Sequence, residues 1–212
     1  MAKIGSRNIN PMIFEKTRDG EYLYDVYSRL IKERIVFLAE EIDSSVATTI
    51  AATLLLLDSQ NSTKDICLYI NSPGGTVCDG LFTIYDTMNF IKSPIQTVCI
   101  GEGMSSAAVI LSAGTPGKRL AFANSHIMIH EVSSSMEGSG STLEREAKQM
   151  KIINNKLIEI LARHTKQTFN KVRNDCEKET YMSAEEARRY GLVDKVVEPV
   201  KSIPSLIKRN KK

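Results

Sequence analysis

The chain has no tryptophan, only three histidines and four cysteines, and aromatic residues fill just 6 % of its 212 positions. Cys67, Cys78, Cys99 and Cys176 form neither a CxxC pair nor a metal-ligand spacing, so free thiols are expected rather than disulfides or a metal site. No apolar run approaches the roughly 18 residues a membrane span requires, and the longest candidate, around Leu54 to Leu57, is far too short. The N-terminal MAKIGSRNIN lacks the apolar segment of a secretory signal, and the chain reads as cytoplasmic, with no membrane partner. A net charge of +3 is too small to imply nucleic acid, and the basic tail of Lys208, Arg209, Lys211 and Lys212 reads as a solvated end.

What remains is ordinary for a globular protein, with 42 % hydrophobic and 25 % charged residues and enough length for one domain with a real core. From residue 34 onward, short apolar runs alternate with helical periodicity. RIVFLAE (34–40) predicts a strand, and SSVATTIAATLLLLDSQ (44–60) predicts a helix with a possible serine cap and Val46, Ile50, Leu54 and Leu57 on one face. ICLYIN (66–71) reads as a strand buried on both faces, ending at Ser72-Pro73-Gly74-Gly75, which must turn. A helix over 80–91, a strand at 95–101, a helix from Ser105 to Ala113 and strands at 119–123 and 126–130 follow. The alternation predicts an α/β domain with a largely parallel sheet. After the polar stretch 133–141 comes a long helix reaching about His164, with Leu143, Ala147, Met150, Ile153, Leu157, Ile160 and Leu161 in a stripe that must be buried by its own domain or by another subunit. A helix over 183–191, ended by Gly191, and a strand at 192–197 close the pattern.

In open α/β sheets, ligands bind beyond the carboxyl ends of the strands. Three predicted strands end in complementary chemistry. One runs into Gly74-Gly75, whose N–H groups no Cβ shields, one places Ser105 at a helix start, and one ends on His130. A helix N-terminus offers free N–H donors and a positive dipole end to a developing oxyanion. Spacing alone does not choose between Ser105 and Ser106. His126 and His130 share a strand face, His130 lies nearer the carboxyl end, and His164 at a helix C-terminus more often serves the macrodipole. Asp175, Glu177 and Glu179 all sit in a polar connection, and periodicity does not select an acid among them.

Taken in order, YDVYSRLIKERIVFL (24–38), LYINSPGG (68–75), IYDTMNFIKSP (84–94), GEGMSSAAVILSAGTPGKR (101–119), NSHIMIHE (124–131) and SAEEARRYGLVD (183–194) resemble the Clp protease proteolytic subunit, over roughly residues 12–197. The resemblance implies a crotonase-like ββα fold with a protruding handle helix, assembled as stacked heptameric rings (a tetradecamer). It divides the single domain 1–212 into an axial segment (1–24), a head (25–131 and 175–197), a handle region (132–174) and a tail (198–212). By position it implies Ser105 as nucleophile, His130 as general base, and the backbone N–H groups of Gly75 and Ser106 as oxyanion donors. The acid falls on Glu179, four residues before Ser183, where the family carries aspartate; Asp175 is the substitute if the loop moves.

No metal or other cofactor is implied. The implied partners are copies of the same chain or a paralogous ring, an AAA+ unfoldase docking in apolar clefts that include Tyr69 and Phe90, and unfolded polypeptide substrates. Three departures stand out: Glu179 for aspartate, Ser106-Ala107 where the family commonly has Met-Gly, and a segment at 80–86 that is one residue longer than usual. Cys67 also replaces a usual tyrosine in the cleft. The main alternative is a weakly active structural or regulatory subunit beside an active paralogue. An α/β-hydrolase esterase would instead need His164 as its base, because that family orders serine, acid, histidine. A crotonase-type acyl-CoA enzyme would need neither Ser105 nor the long helix.

Overall fold

The computed structural model describes residues 11–17, 20–135 and 137–198; the first ten residues of the expected axial segment and residues 199–212 of the tail lie outside the described residues. An antiparallel hairpin of β1 (Met12–Thr17) and β2 (Gly20–Asp25) opens the chain and leads into α1 (Val26–Lys32), capped by the Asp25 carboxylate. Next come β3 (Ile35–Leu38), α2 (Ser44–Gln60), β4 (Ile66–Ser72), α3 (Phe82–Phe90), β5 (Ile95–Met104) and α4 (Ser106–Ser112). The chain continues through β6 (Arg119–Phe122), β7 (His126–Ile129), α5 (Gly140–Thr165), α6 (Phe169–Cys176), β8 (Thr180–Ser183), α7 (Ala184–Tyr190) and β9 (Lys195–Val197). The cap of α2 is Asp43, one residue before the predicted serine, with its carboxylate accepting the Val46 N–H at 2.7 Å. Neither α6 nor β8 is visible in the sequence, because both are short and their polar residues read as a connection.

The main sheet runs β3-β4-β5-β6-β9, all parallel, with β7 parallel to the far end of β5 and β8 antiparallel to β7. β5 is long enough to serve two neighbours: residues 97–99 pair with β6 and residues 102–104 with β7. Between them the chain turns at Gly101, whose φ of 76° and contact with the Asn71 side chain leave no room for a Cβ. Beyond Gly101, Met104 pairs with Met128 of β7, and the Ser105 N–H donates to the Met128 carbonyl.

β4 corrects one expectation. Ile66, Leu68 and Ile70 are fully buried, but Cys67 and Tyr69 on the opposite face are only partly covered. Helices cover one face of this strand, whereas on the other Tyr69 stacks on Phe37 of β3 at 5.1 Å and Tyr27 meets Phe37 edge-on. The covered face joins Leu38, Ile42, Leu54, Leu81, Ile84, Ile110, Leu111 and Ile127 in one core, in which truncating a single aliphatic side chain to alanine costs about 2–5 kcal/mol.

Arg119 fastens the back of this core. Its guanidinium pairs with Asp194 at 2.6 Å and donates to the carbonyls of Ser112, His164 and Gly191, closing the C-terminal ends of α4, α5 and α7. Burial alone would raise the Asp194 carboxyl, but the Arg119 hydrogen bonds outweigh it and hold it below the usual carboxylate range. Burial, then the charges of Arg119 and Arg163, lower the pKa of His164, and its ring is hydrogen-bonded to Tyr85 at 3.0 Å. Arg119 has taken the macrodipole role that the sequence suggested for this histidine. Of the stripe on α5, Leu157, Ile160 and Leu161 are buried in the core. The first turns stand clear of it, with Leu143 and Ile152 exposed.

Candidate active site

The end of β5, the N-terminus of α4 and the end of β7 meet at one point. Ser105 occupies the elbow between β5 and α4 with φ 56° and ψ −125°, a conformation that non-glycine residues rarely adopt. The elbow is held by its own N–H, which donates to the Met128 carbonyl of β7 at 2.8 Å. Its side chain is not spent on capping α4, and Ser105 Oγ lies 2.7 Å from His130 Nε2. Ser106 behaves differently. It is fully buried, and its hydroxyl donates to the Gly75 carbonyl at 2.9 Å, so the two adjacent serines are not interchangeable. Among the three histidines, His126 is exposed at the start of β7 and His164 lies against Tyr85, leaving His130 alone at Ser105.

The turn after β4 supplies the third wall. Ile42 pairs with it on one side, its N–H donating to the Gly74 carbonyl at 2.7 Å and its carbonyl accepting the Thr76 N–H at 2.8 Å. Ser72 Oγ accepts the Gly74 N–H and donates to the Glu40 carbonyl, and the Thr76 carbonyl accepts the Leu81 N–H. The backbone groups of Gly74, Gly75 and Thr76 are therefore all engaged except one, since the Gly75 N–H has no hydrogen-bond partner among the described residues. The Ser106 N–H, at the first position of α4, is likewise free. The two glycines are required by the packing. A Cβ on Gly74 would lie 2.6 Å from Ser105 Cβ, and one on Gly75, where φ is 154°, would collide with the Ile42 carbonyl.

A cavity of about 70 Å³ opens beside Ser105 and His130, walled by Gly75, Val77, Val132 and Leu157. Val77 begins a single π-helical turn, Val77–Leu81, that runs directly into α3. A π-helical turn holds one residue more than an α-helical turn, and this one overlaps the start of the segment 80–86 expected to be one residue longer than usual. Val132 is held at the cavity by the side-chain carbonyl of Asn154 on α5, which accepts its N–H at 3.1 Å. No sequence signal marks Asn154 or Ile42, because their contacts join residues far apart in the chain.

Glu179, the residue expected to supply the acid, is loosely placed. β7 and β8 pair antiparallel up to Ile129 and Thr180, so one further step of the same register would set Glu179 opposite His130. The ladder stops there. Glu179 has a left-handed φ of 49° and an exposed side chain, and among the described residues no carboxylate is hydrogen-bonded to His130. Asp175 is occupied elsewhere, accepting from Tyr190 Oη at 2.8 Å and Lys171 Nζ at 2.9 Å.

Tyr69 and Phe90 lie away from this site, Tyr69 half-buried in the Phe37 stack and Phe90 80 % exposed at the end of α3, with Leu55 and Leu56 exposed on α2. No group of side chains suited to hold a metal, and no helix long and apolar enough to cross a membrane, occurs among the described residues. The family model described as Clp protease matches residues 18–200, a span that contains every element from β2 to β9.

Proposed function

This chain belongs to the Clp protease family, whose work is proteolysis, and from that premise we propose that it is a serine endopeptidase with Ser105 as nucleophile and His130 as general base. The observation that carries the proposal is the 2.7 Å contact between His130 Nε2 and the hydroxyl of a serine held at a strained strand–helix elbow. Ser105 Oγ attacks the peptide carbonyl carbon while its proton passes to His130 Nε2. The new oxyanion is met by the free N–H groups of Gly75 and Ser106, supported by the dipole of α4. As the tetrahedral species collapses, His130 hands the proton to the departing amine, and a water repeats the sequence on the acyl-enzyme. Glu179 is the acid of this set, supported by its register position beside His130; its task is to hold the imidazole through Nδ1–H.

The working form is a double heptameric ring of this chain, alone or with a paralogue, fed with unfolded polypeptide by an AAA+ unfoldase in the cytoplasm. The exposed apolar residues of α5 support contact between subunits, and the exposed Phe90, Leu55 and Leu56 support apolar docking. A second reading is favoured by one observation, the absence of a carboxylate on His130 among the described residues: the chain is then a weakly active structural or regulatory subunit.

Treatment with a serine-reactive phosphonate, read by intact mass beside native mass of the assembly, separates the two. The peptidase reading expects labelling of the wild-type chain and none of Ser105→Ala or His130→Ala. A ring that assembles and is never labelled at Ser105 refutes it and leaves the structural reading.

A further inference from the structure

Ser106 does something that its backbone role does not require. Its hydroxyl is completely buried and donates to the Gly75 carbonyl at 2.9 Å. The other anchors of the Gly74–Thr76 turn, the Ile42 amide and carbonyl and the Ser72 hydroxyl, hold it to the segment between β3 and α2 and to the end of β4. None of them reaches the nucleophile. Beyond the last ladder pair of β4 and β5, Ser72 with Gly103, the Ser106 hydroxyl makes the only hydrogen bond from the turn to the elbow among the described residues.

We propose that Ser106 is a positioning residue for the oxyanion hole: through its hydroxyl it fixes the Gly75 N–H and its own N–H in one mutual geometry around the oxyanion. This rests on the reading of Ser105 as an acylating nucleophile. The two donors come from chain segments about thirty residues apart in sequence, so their spacing is set only by how turn and elbow are joined. Oxyanion stabilisation depends steeply on that spacing, because the donors act without reorganising only if they already point to where the charge develops. Van der Waals contact of Gly74 with Ser105 sets how closely the segments approach. That contact is non-directional; the Ser106 hydrogen bond adds a directional tie between the elbow and the Gly75–Thr76 peptide, whose N–H is held by the Ile42 carbonyl, and so fixes where the whole turn sits against α4. A side chain without a donor here leaves the part-buried Gly75 carbonyl one partner short and the turn without its hydrogen bond to the elbow, so the Gly75 N–H can shift with the turn relative to the Ser106 N–H.

The test compares Ser106→Ala and Ser106→Thr with wild type in assembled rings, using a fluorogenic peptide, a peptide aldehyde that forms a tetrahedral oxyanion on Ser105, and the product peptide. Ser106→Ala is expected to lower kcat on the order of 10- to 100-fold with KM changed less than about twofold. Its affinity for the aldehyde falls by a similar factor, while product binding stays constant. Ser106→Thr, which keeps the hydroxyl, recovers most of kcat. A purely structural serine would instead lower Tm or assembly and weaken all three ligands together, and that result overturns the proposal. So does a Ser106→Ala enzyme with wild-type kcat and aldehyde affinity. If the wild-type ring forms and no reagent acylates Ser105, the peptidase reading fails and this proposal with it. If wild type is acylated and Ser106→Ala is acylated equally fast, the Ser106 proposal alone fails.

Discussion

Two turns flank His130 and are built by opposite means. The turn after β4 is fastened at nearly every polar group, by Ile42, Ser72 and Ser106, and its glycines are packed against Ser105 and Ile42 so closely that no side chain fits. The turn between α6 and β8 is short, carries a left-handed Glu179, and leaves that side chain in solvent. Its ties are mostly to the end of its own α6, from the Glu177, Lys178 and Glu179 N–H groups and the Thr180 hydroxyl, with the Glu131 N–H to the Cys176 carbonyl joining it to the end of β7. Under the proposed mechanism the first turn meets a transition-state charge, where small displacements are costly. The second has only to steady a ring already held by its contact with Ser105. Under those proposed roles, rigidity falls on the oxyanion side and adjustment on the acid side.

Breaking the rigid turn gives the largest effect. Gly75→Ala sets a Cβ against the Ile42 carbonyl and must move the free N–H, so kcat/KM on a peptide substrate is expected to fall about 10²- to 10³-fold, the loss typical of a missing oxyanion donor. Native mass should still report the assembly. Near-normal turnover in this variant would mean that the Gly75 N–H takes no part. Disturbing the loose turn should cost less: Glu179→Gln is expected to lower kcat about tenfold, and Glu179→Asp to lie between the two. A fall of 10³ or more in Glu179→Gln would show that the acid is fully docked on His130 in the working assembly, and a change under twofold would show a bystander.

The same contrast explains what was legible in the sequence. The α/β class and the parallel sheet follow from periodicity, and the strand ends at Gly75, Ser105 and His130 follow from where apolar runs meet turn residues. Elements carried by strong local patterns, such as α2 and α5, lie within a residue or two of their predicted bounds. The hairpin β1–β2, α6 and β8 have no comparable pattern, and β8 exists only because β7 is there to pair with it. The choice between Ser105 and Ser106 turned on a resemblance, since both are small polar residues at a helix start. In the structure, backbone strain and opposite hydrogen-bond partners distinguish them. The proposed acid, Glu179, was least legible, because its placement depends on a ladder that ends one residue before it.

The smallest expected effect concerns a histidine on neither turn, and it separates stability from chemistry. Burial lowers the pKa of His164 from the ordinary 6.5, and the charges of Arg119 and Arg163 add to the shift. The folded protein therefore keeps this ring neutral where the unfolded chain would protonate it. The stability it confers is complete above about pH 6.5 and declines as pH falls through that value toward the lower folded pKa. His164→Gln removes the titration while keeping a polar group for Tyr85, so the decrease in Tm between pH 7.5 and pH 5.5 should be smaller than in wild type. The pH dependence of peptide hydrolysis should keep its shape, because the proposed reacting pair is Ser105 and His130 and His164 is hydrogen-bonded to neither. An unchanged Tm profile would mean that the ring is hydrated and free to protonate in the fold. An altered hydrolysis profile would mean that the end of α5 is coupled to the elbow through α4, whose C-terminal carbonyl shares Arg119 with the carbonyl of His164.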